Sequence, residues 1–325
     1  MHDQFTLQNI GTNGITLRAV VEGDGPLVIL VHGWPELWFS WRHQIKPLAA
    51  AGYRVVAPDV RGYGGSDKPR PVEAYDMATI MADVVGLIDA FSEDTAILVG
   101  HDWGAPIVWN TATLHPDRVR AVAGLSVPYR KRAPVSQIEI WKKFYAGKFF
   151  YQLYFQDEGI AEAELEADVA ASLRKIYFSA SGDAAANFGA TAPADRPPQS
   201  TMLGPLVDPD PFPAWQTVED IAYFAANFAA SGFRGPLNRY RNQQRDFDNL
   251  PDMGALPVRQ PSCFIAGSND VVRRFVPNVD PYADVASHCE DLRFSEIIEG
   301  PGHWVQQEAP EAVTKALLRF LGEVG

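Results

Sequence analysis

Leu27-Val28-Ile29-Leu30-Val31 is a continuous apolar run, and runs of this kind recur along the chain at intervals that define its architecture. A short segment that is apolar at every position reads as a strand buried on both faces of a parallel sheet. Residues 15–22 and 26–31 read as two opening strands joined by a Gly-Asp-Gly turn. Residues 53–57, 95–99, 119–125, 262–266 and 292–298 read as later strands. The segments between them carry the helical period. In 74–91, Met77, Ile80, Val84, Leu87, Ile88 and Phe91 recur three or four residues apart, as on one face of a helix. Residues 38–50 and 105–114 also read as helices, and Pro310 opens a last one over 311–321, with Pro in its favoured first turn. Strands alternating with helices predict an α/β fold, a mostly parallel, doubly wound sheet covered by helices on both faces.

The rhythm changes near Ala133. For roughly a hundred residues no strand pattern occurs. Residues 136–150, 161–179 and 217–231 read as helices, and 192–213, rich in Pro, Asp and Gly, reads as a long irregular connection. The expected organisation is a core built from 1–133 and 243–325, with a helical cap, 134–242, inserted after the sixth strand.

Composition narrows the class. A chain of 325 residues, 46% hydrophobic and 21% charged, is expected to form one large domain with an insertion, or two domains. The formal net charge of −12 argues against nucleic acid or an anionic membrane surface as a partner. No apolar run approaches the ~18 residues of a membrane span, and residues 1–14 lack the basic and apolar regions of a signal peptide. Two cysteines, Cys263 and Cys289, make no disulfide framework, and a cytoplasmic protein with reduced thiols is expected.

The chemistry gathers at strand ends. Gly100-His101-Asp102-Trp103-Gly104 lies between a strand and a helix, with the spacing of a nucleophile elbow and a carboxylate where esterases carry Ser. The small residues permit a sharp turn that lifts Asp102 above the sheet, and a carboxylate can form an ester with an electrophilic carbon. His101 is expected to point away from the site and to play no part. His32-Gly33-Trp34-Pro35 ends an earlier strand, and such a turn can aim a backbone N–H inward. The oxyanion donors are then the N–H groups of Trp34 and Trp103. Asp270 follows the strand at 262–266, and His303 follows the strand at 292–298. Nucleophile, acid, histidine is the order of a triad at the carboxyl edge of such a sheet. Spacing alone leaves Asp280 and Asp284 open as the acid. The Gly-rich loop at 59–66 lacks the Lys-Ser/Thr ending of a phosphate-binding loop.

In these residues the chain resembles the soluble epoxide hydrolases of the α/β-hydrolase fold. The resemblance runs through His32-Gly33-Trp34-Pro35-Glu36 with Trp41-Arg42, through the elbow, through the segment from Tyr151 to Gln156 and that from Ser231 to Asn242, and through Gly302-His303-Trp304. It implies that Asp102 attacks an epoxide, that Tyr151 and Tyr240 of the cap protonate the opening ring, and that His303, oriented by Asp270, activates the water that hydrolyses the ester. Trp34, Pro35, Trp103 and Trp304 would line the substrate pocket. The implied reactants are a small-molecule epoxide and water, the product a vicinal diol, with no metal and no organic cofactor, in a monomer or homodimer. Aromatic patterning alone does not select Tyr151 over Tyr145 or Tyr154; the resemblance does. Two rival readings share the fold. A haloalkane or haloacid dehalogenase would use the same carboxylate but has no need of tyrosine acids. A non-catalytic small-molecule receptor would be expected to lose part of the triad. A serine esterase is excluded, because no Gly-x-Ser-x-Gly occurs.

Overall fold

A computed structural model describes residues 4–188, 196–276 and 278–325. Eight strands form one sheet: β1 (Leu7–Thr12), β2 (Ile15–Glu22), β3 (Leu27–Val31), β4 (Arg54–Pro58), β5 (Ala96–His101), β6 (Val119–Leu125), β7 (Val258–Gly267) and β8 (Cys289–Ile298), in the spatial order β1-β2-β4-β3-β5-β6-β7-β8. The first two neighbour pairs are antiparallel and the rest parallel. Every residue of β3 and β5 is buried, as their uninterrupted apolar runs require. At the far edge, β8 alternates exposed and partly buried positions, the pattern of a strand covered on one face.

The sheet departs from the sequence expectation at its first edge. The segments 15–22 and 26–31 are consecutive, but β4 lies between them, and β2 pairs with β4 rather than with β3. β1 has largely exposed side chains and no apolar alternation; its pairing with β2, Leu7 opposite Val20 through Thr12 opposite Ile15, makes it a strand. It is this strand that makes β6 the sixth.

Helices α1 (Ile45–Ala50), α2 (Met77–Ala90) and α3 (Gly104–Leu114) follow β3, β4 and β5. The single helix expected over 38–50 is divided into a 3₁₀ turn, Trp38–Trp41, and α1. Pro47 accounts for this: it has no N–H and its ring would strike the carbonyl four residues earlier, so a helix containing it must begin close to it. α2 is capped by Asp76, whose carboxylate accepts the Thr79 N–H at 2.9 Å.

Between β6 and β7 the described residues form no strand. They hold α4 (Gln137–Phe144), α5 (Tyr151–Tyr154), α6 (Ile160–Ala167), α7 (Val169–Ser179), α8 (Gly182–Phe188), α9 (Val218–Ser231), α10 (Arg234–Arg241) and α11 (Gln243–Asn249). Two expected helices are shorter than their patterns. The helix at 136–150 stops at Phe144, before Gly147 at φ +73°. The helix at 161–179 breaks at Asp168, whose side chain accepts the Ala171 N–H at 3.0 Å and so caps α7. Residues 196–213 are irregular, as expected, and 192–195 lie outside the described residues. After β8 come α12 (Val305–Glu308) and α13 (Pro310–Val324). α13 buries Val313, Ala316, Leu317, Phe320 and Leu321, one helical stripe against the sheet. Among the described residues, no helix is long and apolar enough to cross a membrane.

Candidate active site

Asp102 stands between the end of β5 and the start of α3 with φ +50°, a left-handed conformation that strains a non-glycine residue. The turn is tight enough to dictate its flanking residues. A Cβ on Gly100 would fall 2.1 Å from the Gly104 carbonyl oxygen, and one on Gly104 would fall 2.0 Å from that of Val31. Only glycine fits at either place. The Trp34 N–H donates to Asp102 Oδ1 at 2.7 Å, from a loop in which the Trp34–Pro35 peptide is cis. The Trp103 nitrogen lies beside the same carboxylate: a Cβ on Gly33 would stand 2.4 Å from Asp102 Oδ1 and 2.7 Å from Trp103 N.

His303 bridges the two other loops. Its Nδ1 is 3.0 Å from Asp270 Oδ1 and its Nε2 is 3.3 Å from Asp102 Oδ2. Asp270 Oδ1 also accepts the Val272 N–H at 2.9 Å. Of the three aspartates that spacing left open, Asp270 faces His303. Asp280 pairs instead with Arg273, and Asp284 precedes the 3₁₀ turn Val285–His288. Burial would lower the His303 pKa, but the Asp270 charge and the hydrogen bonds to Asp102 and Asp270 outweigh it and hold the pKa well above the usual histidine range. Burial pushes the Asp270 carboxyl up, and the His303 charge and hydrogen bonds bring it below its ordinary value.

The histidine loop is anchored by residues that the sequence reading did not single out, and here His101 must be corrected. It points away from the cavity yet is tied to the site: its Nε2 is 2.7 Å from the His303 carbonyl oxygen and its Nδ1 is 2.7 Å from Glu36 Oε2. Glu36, fully buried, accepts the Gly33 N–H at 2.9 Å and the Gln306 Nε2–H at 2.9 Å. Ser126 Oγ donates to the same His303 carbonyl at 2.9 Å. Glu308 accepts the N–H groups of Gly302, Trp304 and Gly182, joining the loop to α8. The only sequence signal for this network was the presence of Glu and His in motifs already noticed for their neighbours.

Tyr151 and Tyr240 come from different helices and meet with ring centroids 5.9 Å apart. Tyr151 Oη accepts from Gln152 Nε2 at 2.9 Å and is in hydrogen-bond contact with the Tyr240 hydroxyl. Burial, reinforced by the Asp102 charge, raises both phenol pKa values, so both hydroxyls keep their protons at neutral pH. The alternatives are engaged elsewhere: Tyr145 donates to the Phe275 carbonyl at 2.8 Å and Tyr154 to Glu164 at 2.9 Å.

A cavity of about 440 Å³ opens beside Asp102, lined also by Trp103 and Tyr151. Trp34, Pro35 and Trp304, expected to line the pocket, are not among the residues that line this cavity, and neither are Tyr240 and His303. The Trp34 ring packs 5.2 Å from Phe155 and 5.9 Å from Tyr240. The Pro35 carbonyl is covered by the Tyr177 hydroxyl at 3.1 Å. Trp304 turns toward the helices, where its indole N–H donates to the Tyr177 carbonyl at 2.7 Å.

Residues 26–310 match the family described as alpha/beta hydrolase fold. Epoxide hydrolase A of Mycobacterium tuberculosis is 45% identical over 323 residues, covering 96% of both chains. Epoxide hydrolase B of the same organism is 36% identical over 96% of this chain and 97% of its own. Among solved structures, epoxide hydrolase A from Mycobacterium thermoresistibile superposes with a TM-score of 0.92 at 39% identity over 99% of each chain. An epoxide hydrolase from an endophytic Streptomyces gives 0.90 at 40% identity over 98% of this chain and 95% of its own. This chain belongs to the epoxide hydrolases of the α/β-hydrolase fold.

Proposed function

We propose that this site converts a small-molecule epoxide and water to a vicinal diol through an ester on Asp102. The observation that carries the reading is the pairing of a carboxylate at an elbow with two protonated phenols, Tyr151 and Tyr240, that feel its charge. Asp102 Oδ1 is occupied by the Trp34 N–H, so Oδ2 is the attacking oxygen. It forms a bond to one ring carbon while the carbon–oxygen bond breaks, and the electron pair leaves on the ring oxygen. Tyr151 and Tyr240 hydrogen-bond that oxygen and deliver the proton. A halide leaving group would need no proton and would give these phenols no work.

His303 then removes a proton from water, and the water oxygen attacks the Asp102 carbonyl carbon. The Trp34 and Trp103 N–H groups stabilise the oxyanion. The intermediate collapses by expelling the diol oxygen, which takes the proton from His303; Asp102 is left as a carboxylic acid bearing the water's second hydrogen, and loss of that proton to the phenolate left by ring opening restores both groups. Esterification itself prepares the base. It cancels the Asp102 charge and removes a hydrogen bond that held the His303 proton, so the His303 pKa falls when a neutral imidazole is required. We read 134–242 as a cap over the core of 1–133 and 243–325. The buried free thiols Cys263 and Cys289 support a reducing, cytoplasmic setting.

Single turnover in ¹⁸O water with excess enzyme tests this. The expected result is unlabelled diol and one label in the Asp102 peptide. Labelled diol with an unlabelled peptide would exclude the ester.

A further inference from the structure

The backbone around His303 is held from a side that the mechanism does not use. The His303 carbonyl accepts from His101 and Ser126, at the ends of β5 and β6. The N–H groups go elsewhere. The His303 N–H donates to the Ala180 carbonyl at 2.8 Å, in the junction between α7 and α8. On either side of it, the Gly302 N–H donates to Glu308 Oε2 at 2.9 Å and the Trp304 N–H to Glu308 Oε1 at 3.0 Å. Glu308 Oε2 also accepts the Gly182 N–H at 2.8 Å, so one oxygen joins the histidine loop to the first residue of α8. The two segments touch backbone to backbone. A Cβ on Gly302 would fall 2.4 Å from the Ala180 carbonyl oxygen, and one on Gly182 would fall 2.1 Å from that of Gly300.

Local capping accounts for one of these bonds. A glutamate in the first turn of a helix commonly reaches back to the N–H that precedes it, and α12 begins after Trp304. Capping does not account for the N–H taken from the other side of His303, nor for the one taken from α8, 126 positions away in sequence. Charge-assisted bonds to both neighbours of His303 fix the peptide units from which the imidazole hangs. That imidazole has two targets to meet at once, Asp270 at 3.0 Å and Asp102 at 3.3 Å, and a shift of the loop changes both. We propose that Glu308 is a positioning residue for His303, and that through Glu308 and Ala180 the α7–α8 junction sets the aim of the base in ester hydrolysis. Ring opening uses Asp102, Tyr151 and Tyr240 and does not draw on this contact. The proposal rests on the epoxide-hydrolase reading above and adds a residue to its second half-reaction.

Single turnovers of styrene oxide and of 1,2-epoxyoctane by excess full-length protein test it, with ester followed by intact mass and diol by product analysis. The variants are Glu308→Ala, Glu308→Gln and Gly182→Ala. In Glu308→Ala, which loses every acceptor, ester hydrolysis falls about 30- to 100-fold while ester formation stays within about 3-fold, the scale expected when one reacting group is misplaced. Glu308→Gln keeps a carbonyl oxygen for Gly302 and Gly182 and falls only about 3- to 10-fold in hydrolysis. Gly182→Ala leaves the carboxylate in place but drives α8 off Gly300, and it too slows hydrolysis more than formation. In all three, ester builds up on the protein, and in steady state kcat falls more than kcat/KM. Ester formation by a variant shows that Asp102 and the phenols are intact, so a loss confined to hydrolysis is not general unfolding. Glu308→Gln, nearly unchanged in shape, decides the matter if Glu308→Ala does not fold. A parallel fall of formation and hydrolysis, or hydrolysis at the wild-type rate in the Glu308 variants, overturns the assignment. No diol from the wild-type protein with either epoxide overturns the epoxide reading itself, and this proposal with it.

Discussion

The edge of the sheet and the helices between β6 and β7 place their side chains by different means. At the sheet edge the backbone does the placing. Asp102, Asp270 and His303 sit within three residues of a strand end or of the turn that follows it, and the elbow is set by the 2.0–2.1 Å approaches that forbid any Cβ at Gly100 and Gly104. In these helices, side-chain packing does it. Tyr151 and Tyr240 lie on α5 and α10, far apart in sequence, and meet through an aromatic cluster with Phe155 and Trp103. Backbone placement is local and rigid, whereas packing placement depends on many partners at once. Substitutions at the edge should therefore remove single chemical steps, and those in the helices should grade a step.

The sharpest separation is expected at His303. His303→Gln should still form the ester but not hydrolyse it, lowering turnover by about 10³-fold or more. Intact mass after mixing with epoxide should show protein plus one substrate; a variant that turns over normally would end the assignment. Next come the phenols. Tyr151→Phe and Tyr240→Phe should each slow ring opening by up to about 10²–10³-fold, the loss typical of one donor to a developing oxyanion. Single-turnover ester formation measures this. Tyr154→Phe should change it little, because that hydroxyl serves Glu164. Equal effects at 151 and 154 would break the contrast drawn here.

The two remaining predictions concern protons. Asp102→Asn removes a charge that helps to raise the His303 pKa, so the imidazole should titrate at lower pH than in the wild-type protein, as read by NMR. An unchanged pKa would separate Asp102 from His303 energetically. The smallest effect is expected in stability, at Glu308, which links the sheet edge to α8. Burial raises its pKa to about 7, against the three N–H groups it accepts. A carboxyl raised in the folded state favours the fold below its unfolded pKa, and that contribution is lost as pH rises toward 7. Wild-type Tm should thus decline between about pH 4.5 and 7 relative to Glu308→Gln, by a few degrees. Parallel Tm profiles would show that Glu308 is already ionised throughout.

Much of this fold is legible in the chain because its signals are local. The run Leu27–Val31 announces a doubly buried strand, the period of 74–91 announces α2, and the two glycines of the elbow announce a turn that only they can make. Asp102 and His303 are readable for the same reason, being beside strands whose patterns are strong. β1 is not, since its exposed side chains leave no alternation and only pairing with β2 makes it a strand. The order of the edge strands, with β4 between β2 and β3, is likewise absent from any local pattern.

What only the tertiary structure decided has a common cause: each case is a competition among partners distant in sequence. Asp270 rather than Asp280 faces His303, while Asp280 pairs with Arg273. Tyr145 and Tyr154 are removed from the chemistry by the Phe275 carbonyl and Glu164, which leaves Tyr151 facing the cavity. The Trp304 indole is held by the Tyr177 carbonyl, and His101 joins Glu36 to the back of His303. A sequence determines which groups are available and which local shapes they can take. Which polar group is satisfied by which partner depends on distances between elements, and these exist only once the sheet has formed and the helices have packed on it.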